Sequence, residues 1–155
     1  MTSVQLQRAT TDSFSPYGTV VRLPEAAPTA ATSQFSFWSE IAHYHIVGET
    51  EIGLCKVHQQ PSNRVTWVER HVRTPEILVP FDSAIMLPVA GGVSAETVEA
   101  FRIEVGEAVV INTGVWHSAC HPTGAGSATY FVIFRRGTPR DDVAKVETLD
   151  VAISD

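Results

Sequence analysis

Apolar residues along this chain recur in short stretches, without the spacing of an amphipathic helix. The stretches are rich in β-branched and aromatic residues, and Gly, Pro, Asp or Asn bounds most of them. That pattern is typical of an antiparallel β domain. It predicts strands over Gly18–Leu23, Phe35–Ile46, Thr50–His58, Thr66–His71, Glu76–Pro80, Ala84–Val89, Val98–Ile103, Ala108–Ile111, Trp116–Cys120 and Ala128–Phe134.

The length of 155 residues predicts a single domain over residues 1–155. So many short strands favour a sandwich, a jelly roll or a small barrel, and a barrel offers an interior mouth for a ligand. We interpret the small, polar segment Pro24–Gln34 as a loop. We interpret residues 143–155 as a C-terminal arm or a short helix.

Charge and composition limit the expected partners. The formal net charge is −6, and the basic residues form no stripe, so we expect no nucleic acid partner. No apolar run approaches the roughly 18 residues of a membrane span, and the N-terminus lacks the apolar core of a secretory signal. Cys55 and Cys120 fit no disulfide framework. The sequence therefore predicts a cytoplasmic protein that does not bind membranes.

The stretch TWVERHVRTPE contains three possible metal ligands: Glu69, His71 and Glu76. Residues two apart on a strand face the same side, so Glu69 and His71 are expected to point together. Glu76 is expected to return to that face from the next strand, and His117 is the candidate fourth ligand. Two carboxylates and two imidazoles favour Mn, Fe, Ni or Zn over Cu(I). A metal-free site is the alternative.

Both halves of this constellation resemble the paired motifs of cupins. The first cupin motif, H-x-H-x4-E, is matched as E-x-H-x4-E, and the second, G-x5-P-x-G-x2-H, as G-x5-N-x-G-x2-H. The matching positions are Glu69, His71 and Glu76 in the first motif and Gly106, Asn112, Gly114 and His117 in the second. The resemblance implies an all-β cupin fold, an antiparallel double-stranded β-helix or jelly-roll barrel. It also implies one divalent metal bound by Glu69, His71, Glu76 and His117.

Over about residues 12–142, the chain resembles one branch of the cupins, the ureidoglycolate lyases. The segments that carry the resemblance are Phe14–Gly18, Glu69–His71 with Ile77–Pro80, Ala100–Phe101, Gly114–His117 and Phe131–Phe134. The resemblance implies a homodimeric enzyme of allantoin and purine nitrogen catabolism that cleaves ureidoglycolate, a small carboxylate, to glyoxylate and urea. Three departures from the family are Glu76 in place of Gln, Ile111-Asn112 in place of Tyr-His, and Ser118-Ala119 in place of His-Pro.

Roles for individual residues follow from the resemblance and the chemistry together. Glu69 or Glu76 is the expected general acid and base if it is not bound to metal. The residues expected to bind substrate are Arg70, Asn112, Trp116 and His45. An arginine is expected to hold the substrate carboxylate, with the candidates Arg64, Arg70, Arg102 and Arg136.

Other sites and other functions remain open at this point. The pattern H-x-H-x3-E at His43, His45 and Glu49 is a rival first motif. His117, Cys120 and His121 form a possible zinc cluster that lacks a fourth ligand. Another metal-dependent cupin enzyme acting on a small hydroxy- or keto-acid is an alternative function. A non-catalytic barrel that binds a small metabolite is a further one.

Overall fold

Two β-sheets make up most of the protein, which a computed structural model describes over residues 2–155. The strands are β1 Thr2–Arg8, β2 Gly18–Val21, β3 Ala30–Ala31, β4 Ser36–Phe37, β5 Thr50–His58, β6 Arg64–Val65, β7 Val68–Arg70, β8 Glu76–Pro80, β9 Ile85–Ala90, β10 Val98–Ile103, β11 Ala108–Ile111, β12 Trp116–His117, β13 His121–Pro122, β14 Ser127–Arg135, β15 Ala144–Val146 and β16 Val151–Ser154. The helices are α1 Thr11–Phe14 and α2 Thr138–Asp141, with a 3₁₀ turn at Ala95–Thr97. Among residues 2–155, no helix has the length and apolar character needed to cross a bilayer.

The larger sheet has nine strands and the smaller has five. The larger runs β15-β7-β12-β9-β10-β1-β16-β6, with β13 paired to β9, and the smaller runs β2-β11-β8-β14-β5. Strands β3 and β4 pair only with each other. The site described below therefore draws on both sheets, because β7 and β12 belong to the first and β8 to the second.

The main hydrophobic core lies between the sheets. Leu87 and Phe101 of the larger sheet and Leu78 and Val109 of the smaller sheet belong to one buried cluster. Met86, adjacent to Leu87, belongs to a second cluster that packs on the other side of the larger sheet. Successive residues of a strand point to opposite faces, so β9 contributes to both clusters and is buried along its whole length.

The predicted all-β, jelly-roll cupin architecture is confirmed, but the prediction of a purely antiparallel sheet is wrong. Strand β1 pairs in parallel with β10 and with β16. Parallel neighbours cannot be joined by a tight hairpin turn. The partners of β1 therefore lie far away in the sequence, where no local turn signal announces the pairing.

Two segments differ from the sequence interpretation. The strand predicted over Phe35–Ile46 is only Ser36–Phe37, and it pairs with Ala30–Ala31 inside the predicted loop. The predicted arm or helix over 143–155 instead contains β15 and β16, and the short helix lies earlier, at Thr138–Asp141. Leu149, Val151 and Ile153 alternate along this terminal segment and are buried in the second cluster, which accounts for the strand.

Candidate metal centre

Four predicted ligands come together where the two sheets meet. Glu69 lies on β7, His71 follows the end of β7, Glu76 begins β8, and His117 ends β12. His117 is paired directly with Glu69 across β12 and β7. Glu76 enters from the other sheet, where it is paired with Ile111 of β11. The spacing seen in the sequence thus corresponds to convergence in space.

The donor atoms of these side chains are close to one another. Oε2 of Glu76 lies 2.7 Å from Nε2 of His117 and 3.4 Å from Nε2 of His71. The donor atoms of Glu69, His71 and His117 all lie within 4.8 Å of one another. His71, Glu76 and His117 are buried, and Glu69 is half-buried. Glu69, His71 and His117 could therefore share one small cation, with Glu76 in contact with both imidazoles.

Backbone carbonyls fix the orientation of both imidazoles. Nδ1 of His71 donates to the carbonyl oxygen of Asp142 at 2.7 Å, and Nδ1 of His117 donates to that of Val115 at 3.0 Å. A carbonyl oxygen only accepts, so a neutral imidazole in either place keeps its lone pair on Nε2. Both Nε2 atoms therefore face Glu76.

The cluster attracts positive charge. Burial raises the pKa of Glu76, but His117 and His71 lower it more, to about 2. Burial lowers the pKa of both histidines, yet their contacts with Glu76 contribute to a net increase. Without a metal, the carboxylate therefore stays ionised, and protonation of the two imidazoles is favoured. A metal ion would compete with protons for the same Nε2 atoms.

The donor set fits a divalent transition metal. Oε2 of Glu76 and Nε2 of His117 are buried 2.7 Å apart, and with a neutral imidazole that donates through Nδ1 both atoms are acceptors without a donor between them. Imidazole nitrogen fixed by a backbone carbonyl, beside carboxylate oxygen, is a common environment for such ions. An ion between these atoms would satisfy both of them.

Asp142 is a functional residue that sequence reasoning missed. Besides its carbonyl contact with His71, its carboxylate accepts hydrogen bonds from the backbone N–H groups of Val72 and Arg73 at 3.0 and 2.9 Å. It thereby fixes the loop that leads from His71 to Glu76. Asp142 lies 71 residues from His71, and no spacing in the sequence connects the two.

Gly114 of the second motif joins the two halves of the site. Its backbone N–H donates to the carbonyl oxygen of His71 at 2.7 Å, and its φ of +84° is a conformation that favours glycine. The turn that it forms leads directly to His117. Glycine at this motif position is therefore explained by backbone geometry.

A cavity of about 340 Å³ opens at the cluster. Its volume is at the lower end of the roughly 300–1,000 Å³ typical of small-molecule sites. Its wall is mostly apolar, and the residues that line it are Glu51, Gly53, Leu54, Cys55, Trp67, Glu69, Glu76, Leu78, His117, Ser118, Ala119, Tyr130, Val132, Phe134 and Pro139. None of these lining residues is a lysine or an arginine.

The structure places the residues predicted to bind substrate outside this lining. Arg70 alternates with Glu69 on β7, and its guanidinium lies 4.7 Å from the ring centroid of Trp116. Asn112 is exposed, and its backbone N–H donates to the carbonyl oxygen of Tyr17. His45 is also exposed. Nor do the other arginines proposed for the substrate carboxylate, Arg64, Arg102 and Arg136, line the cavity.

The two rival metal clusters are not assembled. Over residues 2–155, Glu69, His71 and His117 are the one group of three or more His, Cys, Asp or Glu side chains close enough to share an ion. His43, His45 and Glu49 are exposed in the segment before β5 and at its edge. His117, Cys120 and His121 are likewise not close enough to one another to share an ion.

Comparison with known proteins places the chain in a family. A family model described as ureidoglycolate lyase matches residues 1–153. A search of curated proteins found no match to the chain. Solved structures that resemble it include oxalate decarboxylase from Bacillus subtilis at pH 4.6, with 16% identity over 64% of this chain and 24% of that chain and a TM-score of 0.45. A second structure, from a study of substrate binding and a reaction specificity switch in oxalate decarboxylase, has the same identity and coverage and a TM-score of 0.46. The chain spans about a quarter of the length of these proteins.

Proposed function

Because the chain belongs to the ureidoglycolate lyase family, we propose that it cleaves ureidoglycolate to glyoxylate and urea. The observation that carries this proposal is the convergence of Glu76 with both Nε2 atoms beside Glu69, at a cavity of small-molecule size. Lyase chemistry on this substrate needs one proton to move from an oxygen to a nitrogen atom. The cavity supplies a half-buried carboxylate for that transfer.

We assign His71 and His117, with Glu69 and Glu76 beside them, as the residues that would hold a divalent ion, with Mn, Fe, Ni and Zn as candidates. Glu76 contacts both imidazoles directly, so its oxygen is already committed to the cluster. A bound ion would polarise the substrate hydroxyl and lower the pKa of that group. Glu69 lies within reach of the same ion and is the fourth candidate ligand.

Glu69 is the proposed general base and acid when it is not bound to the ion. Its carboxylate accepts the proton of the substrate hydroxyl as the carbon–oxygen double bond of glyoxylate forms. The carbon–nitrogen bond breaks, and its electron pair leaves with the urea nitrogen. Glu69 then returns the proton to that nitrogen, so atoms and charge balance within the cavity. Glu76 is the alternative general acid and base only if it is not bound to the ion.

We infer that the substrate carboxylate binds at the metal cluster. Since no lysine or arginine lines the wall, a bound ion is the candidate partner for that carboxylate. The predicted arginine clamp is not part of this proposal. Ser118 offers a hydroxyl in the lining for the polar ureido group.

A second candidate function is that of a cupin enzyme acting on a less polar hydroxy- or keto-acid. Trp67, Leu78, Val132 and Phe134 give the cavity an apolar wall, whereas ureidoglycolate has hardly any apolar surface. An oxygenase of this class would consume dioxygen, and an oxygen electrode would detect that. The non-catalytic alternative predicts that ligand stabilises the protein without being chemically changed.

The proposal is tested by incubating the purified protein with ureidoglycolate and quantifying both products. Equimolar glyoxylate and urea are expected. A His117→Ala variant should lose roughly 100-fold or more of the rate, whereas His121→Ala, a half-buried histidine outside the cavity, should keep it. Absence of both products after reloading with Mn, Fe, Ni and Zn in turn would exclude this substrate.

Three features predicted from the sequence accompany this proposal. They are a cytoplasmic location, a role in allantoin and purine nitrogen catabolism, and a homodimeric state. Each stays a prediction. The turnover assay above tests the reaction without depending on any of them.

A further inference from the structure

The inner face of strand β5 forms one wall of the cavity and has no role in the reaction proposed above. Glu51, Gly53 and Cys55 line the cavity. Ile52 and Leu54 alternate with them, and their side chains are 69% and 64% exposed. Successive residues of a strand point to opposite faces, so the positions of Glu51, Gly53 and Cys55 face the cavity.

Gly53 is not required by the backbone of β5. The strand pairs with β14 without interruption from Thr50 to His58, and Gly53 lies opposite Val132. A Cβ atom at Gly53 would have as its nearest neighbour the carbonyl oxygen of Val132, at 3.9 Å. A glycine inside a strand marks a bulge or the close approach of another backbone or a ligand. Because the ladder has no bulge here and residues 2–155 bring no backbone closer, the remaining explanation is space for a ligand.

Glu51 supplies the charged group of this wall. Its Oε1 accepts a hydrogen bond from the backbone N–H of Gly137 at 3.2 Å, which holds the carboxylate beside the start of α2. Over residues 2–155, this is the one hydrogen bond that the carboxylate accepts. A carboxylate only accepts, so a ligand group that meets the second oxygen, Oε2, has to donate.

Glu51 lies two strands away from Glu76 of the metal cluster. Phe134 of β14 is paired with Glu51. The preceding Ile133 is paired with Ile77, the residue after Glu76. Glu76, Phe134 and Glu51 therefore follow one another across three adjacent strands, and all three line the cavity. Adjacent strands are about 4.8 Å apart, so the backbones of the two glutamates are roughly 10 Å apart. A small ligand held at the metal cluster therefore extends its other end towards Glu51.

The charge of the cavity wall determines which chemical group can face Glu51. The acidic side chains of the lining are Glu51, Glu69 and Glu76, and the lining contains no lysine or arginine. A ligand carboxylate at Glu51 would bring two negative charges together, which opposes binding. The planar N–H groups of a ureido or amidino end would instead donate to Oε2, and hydrogen bonds to a charged acceptor are among the stronger ones.

We propose that Glu51 and Gly53 are specificity-determining residues, which form a subsite for the N–H-donating end of a small carboxylic acid. Gly53 leaves the space for that end, and Glu51 accepts its N–H groups. The ligand class is therefore a small acid that ends in a ureido or amidino group, rather than one with an apolar end or a second carboxylate. The subsite rests on the proposed function in one respect, the binding of the acid end at the metal cluster.

The test measures the binding of three related acids by calorimetry, with protein loaded in turn with Mn, Fe, Ni and Zn. N-carbamoylglycine, guanidinoacetate and N-acetylglycine share the acid end, and their far ends carry an amide NH2, an amidinium and a methyl group. Each lacks the hydroxyl group from which cleavage begins, so none is consumed. Wild type should bind the first two at least about tenfold more tightly than N-acetylglycine, because both give Glu51 an N–H donor. Glu51→Ala should reduce that ratio to about twofold or less.

The role of Gly53 is tested separately with Gly53→Val. The new side chain should fill the space and weaken the binding of all three acids at least about tenfold. The variant should nevertheless unfold at the same or a higher urea concentration, because valine favours strands more than glycine does. Unchanged affinities in a folded Gly53→Val protein would mean that no ligand occupies this space.

Ile52→Ala is the matched control, since Ile52 neighbours both residues but is exposed on the opposite face of β5. It should keep the affinities of wild type, and the metal content per chain should be equal in all variants. A wild-type protein that binds the three acids equally, or binds none of them, would overturn the proposal, as would a Glu51→Ala protein with the ratio of wild type. These measurements need no turnover, so a failure of the subsite and a failure of the proposed reaction are distinguishable.

Discussion

Replacing Glu76 by glutamine keeps the size of a buried side chain and removes the charge that two imidazoles share. In metal-free protein the pKa of Glu76 is lowered from 4.5 to about 2, and the pKa of His71 and of His117 is raised above 6.5. A carboxyl group whose pKa is lowered on folding stabilises the folded state above pH 4.5. That stabilisation is lost as the pH falls towards 2. A histidine whose pKa is raised on folding stabilises the folded state below pH 6.5. That stabilisation is lost as the pH rises through the pKa of the histidine in the folded protein. The cluster therefore stabilises the protein most between about pH 4.5 and 6.5.

The loss of stability expected for Glu76→Gln follows from the decrease in the pKa of Glu76. A decrease from 4.5 to about 2 in a carboxyl that is nearly fully buried corresponds to on the order of 3 kcal/mol at 1.36 kcal/mol per pKa unit. Removing one partner of a buried ion pair costs about the same, 3–5 kcal/mol. At pH 6, Glu76→Gln should lower the free energy of unfolding of the metal-free protein by about 3 kcal/mol. Above the raised pKa of the histidines, the imidazoles are neutral and the cost should fall towards zero.

The assay is urea unfolding of chelator-treated wild type and Glu76→Gln at pH 6 and at pH 9. The matched control is Glu51→Gln, a cavity-lining glutamate whose carboxylate accepts a hydrogen bond from the backbone N–H of Gly137. The change in the free energy of unfolding caused by Glu51→Gln should not differ comparably between pH 6 and pH 9. A cost of Glu76→Gln that is equal at both pH values would refute the ion-pair reasoning.

Further predictions concern the supports of the site and the fold. Asp142→Asn weakens the hydrogen bonds that fix the loop after His71, so it should lower metal affinity roughly 10–100-fold. Competition with a chelating dye measures that affinity. An unchanged affinity would mean that the site does not depend on these hydrogen bonds. Leu87→Ala opens a cavity between the sheets and should cost 2–5 kcal/mol in urea unfolding, about as measured for other buried leucines, whereas the exposed Val105→Ala should change stability by less than about 0.5 kcal/mol. Thr10→Ala removes the side chain that caps α1 and should cost about 1 kcal/mol; an equal stability of the variant would contradict that role.

The local part of the site could be predicted from the sequence. Glu69 and His71 share a face because strands have a period of two, and Glu76 begins the next long strand. His117 follows the glycine turn at Gly114, as its motif predicts. In each case the residues are close together in the sequence, so their spacing alone predicts their arrangement. The all-β fold was predictable for the same reason.

The long-range part of the site was not predictable. Asp142 supports His71 through a backbone carbonyl, a group that every residue has, so no residue type marks the contact. Arg70 and Trp116 belong to motif segments, yet they stack on each other outside the cavity lining. Residues 38–47 contain strand-forming residues, but they pair with neither sheet and do not form the predicted strand.

If cleavage of ureidoglycolate depends on a metal ion held at His71 and His117 beside Glu69 and Glu76, metal content and rate must change together. Both are measured in the same preparations, as metal per chain and as glyoxylate formed, before chelation, after chelation and after reloading. We expect close to one ion per chain, loss of ion and rate together, and recovery of both on reloading. A full rate in wild-type protein that contains no metal would contradict that dependence.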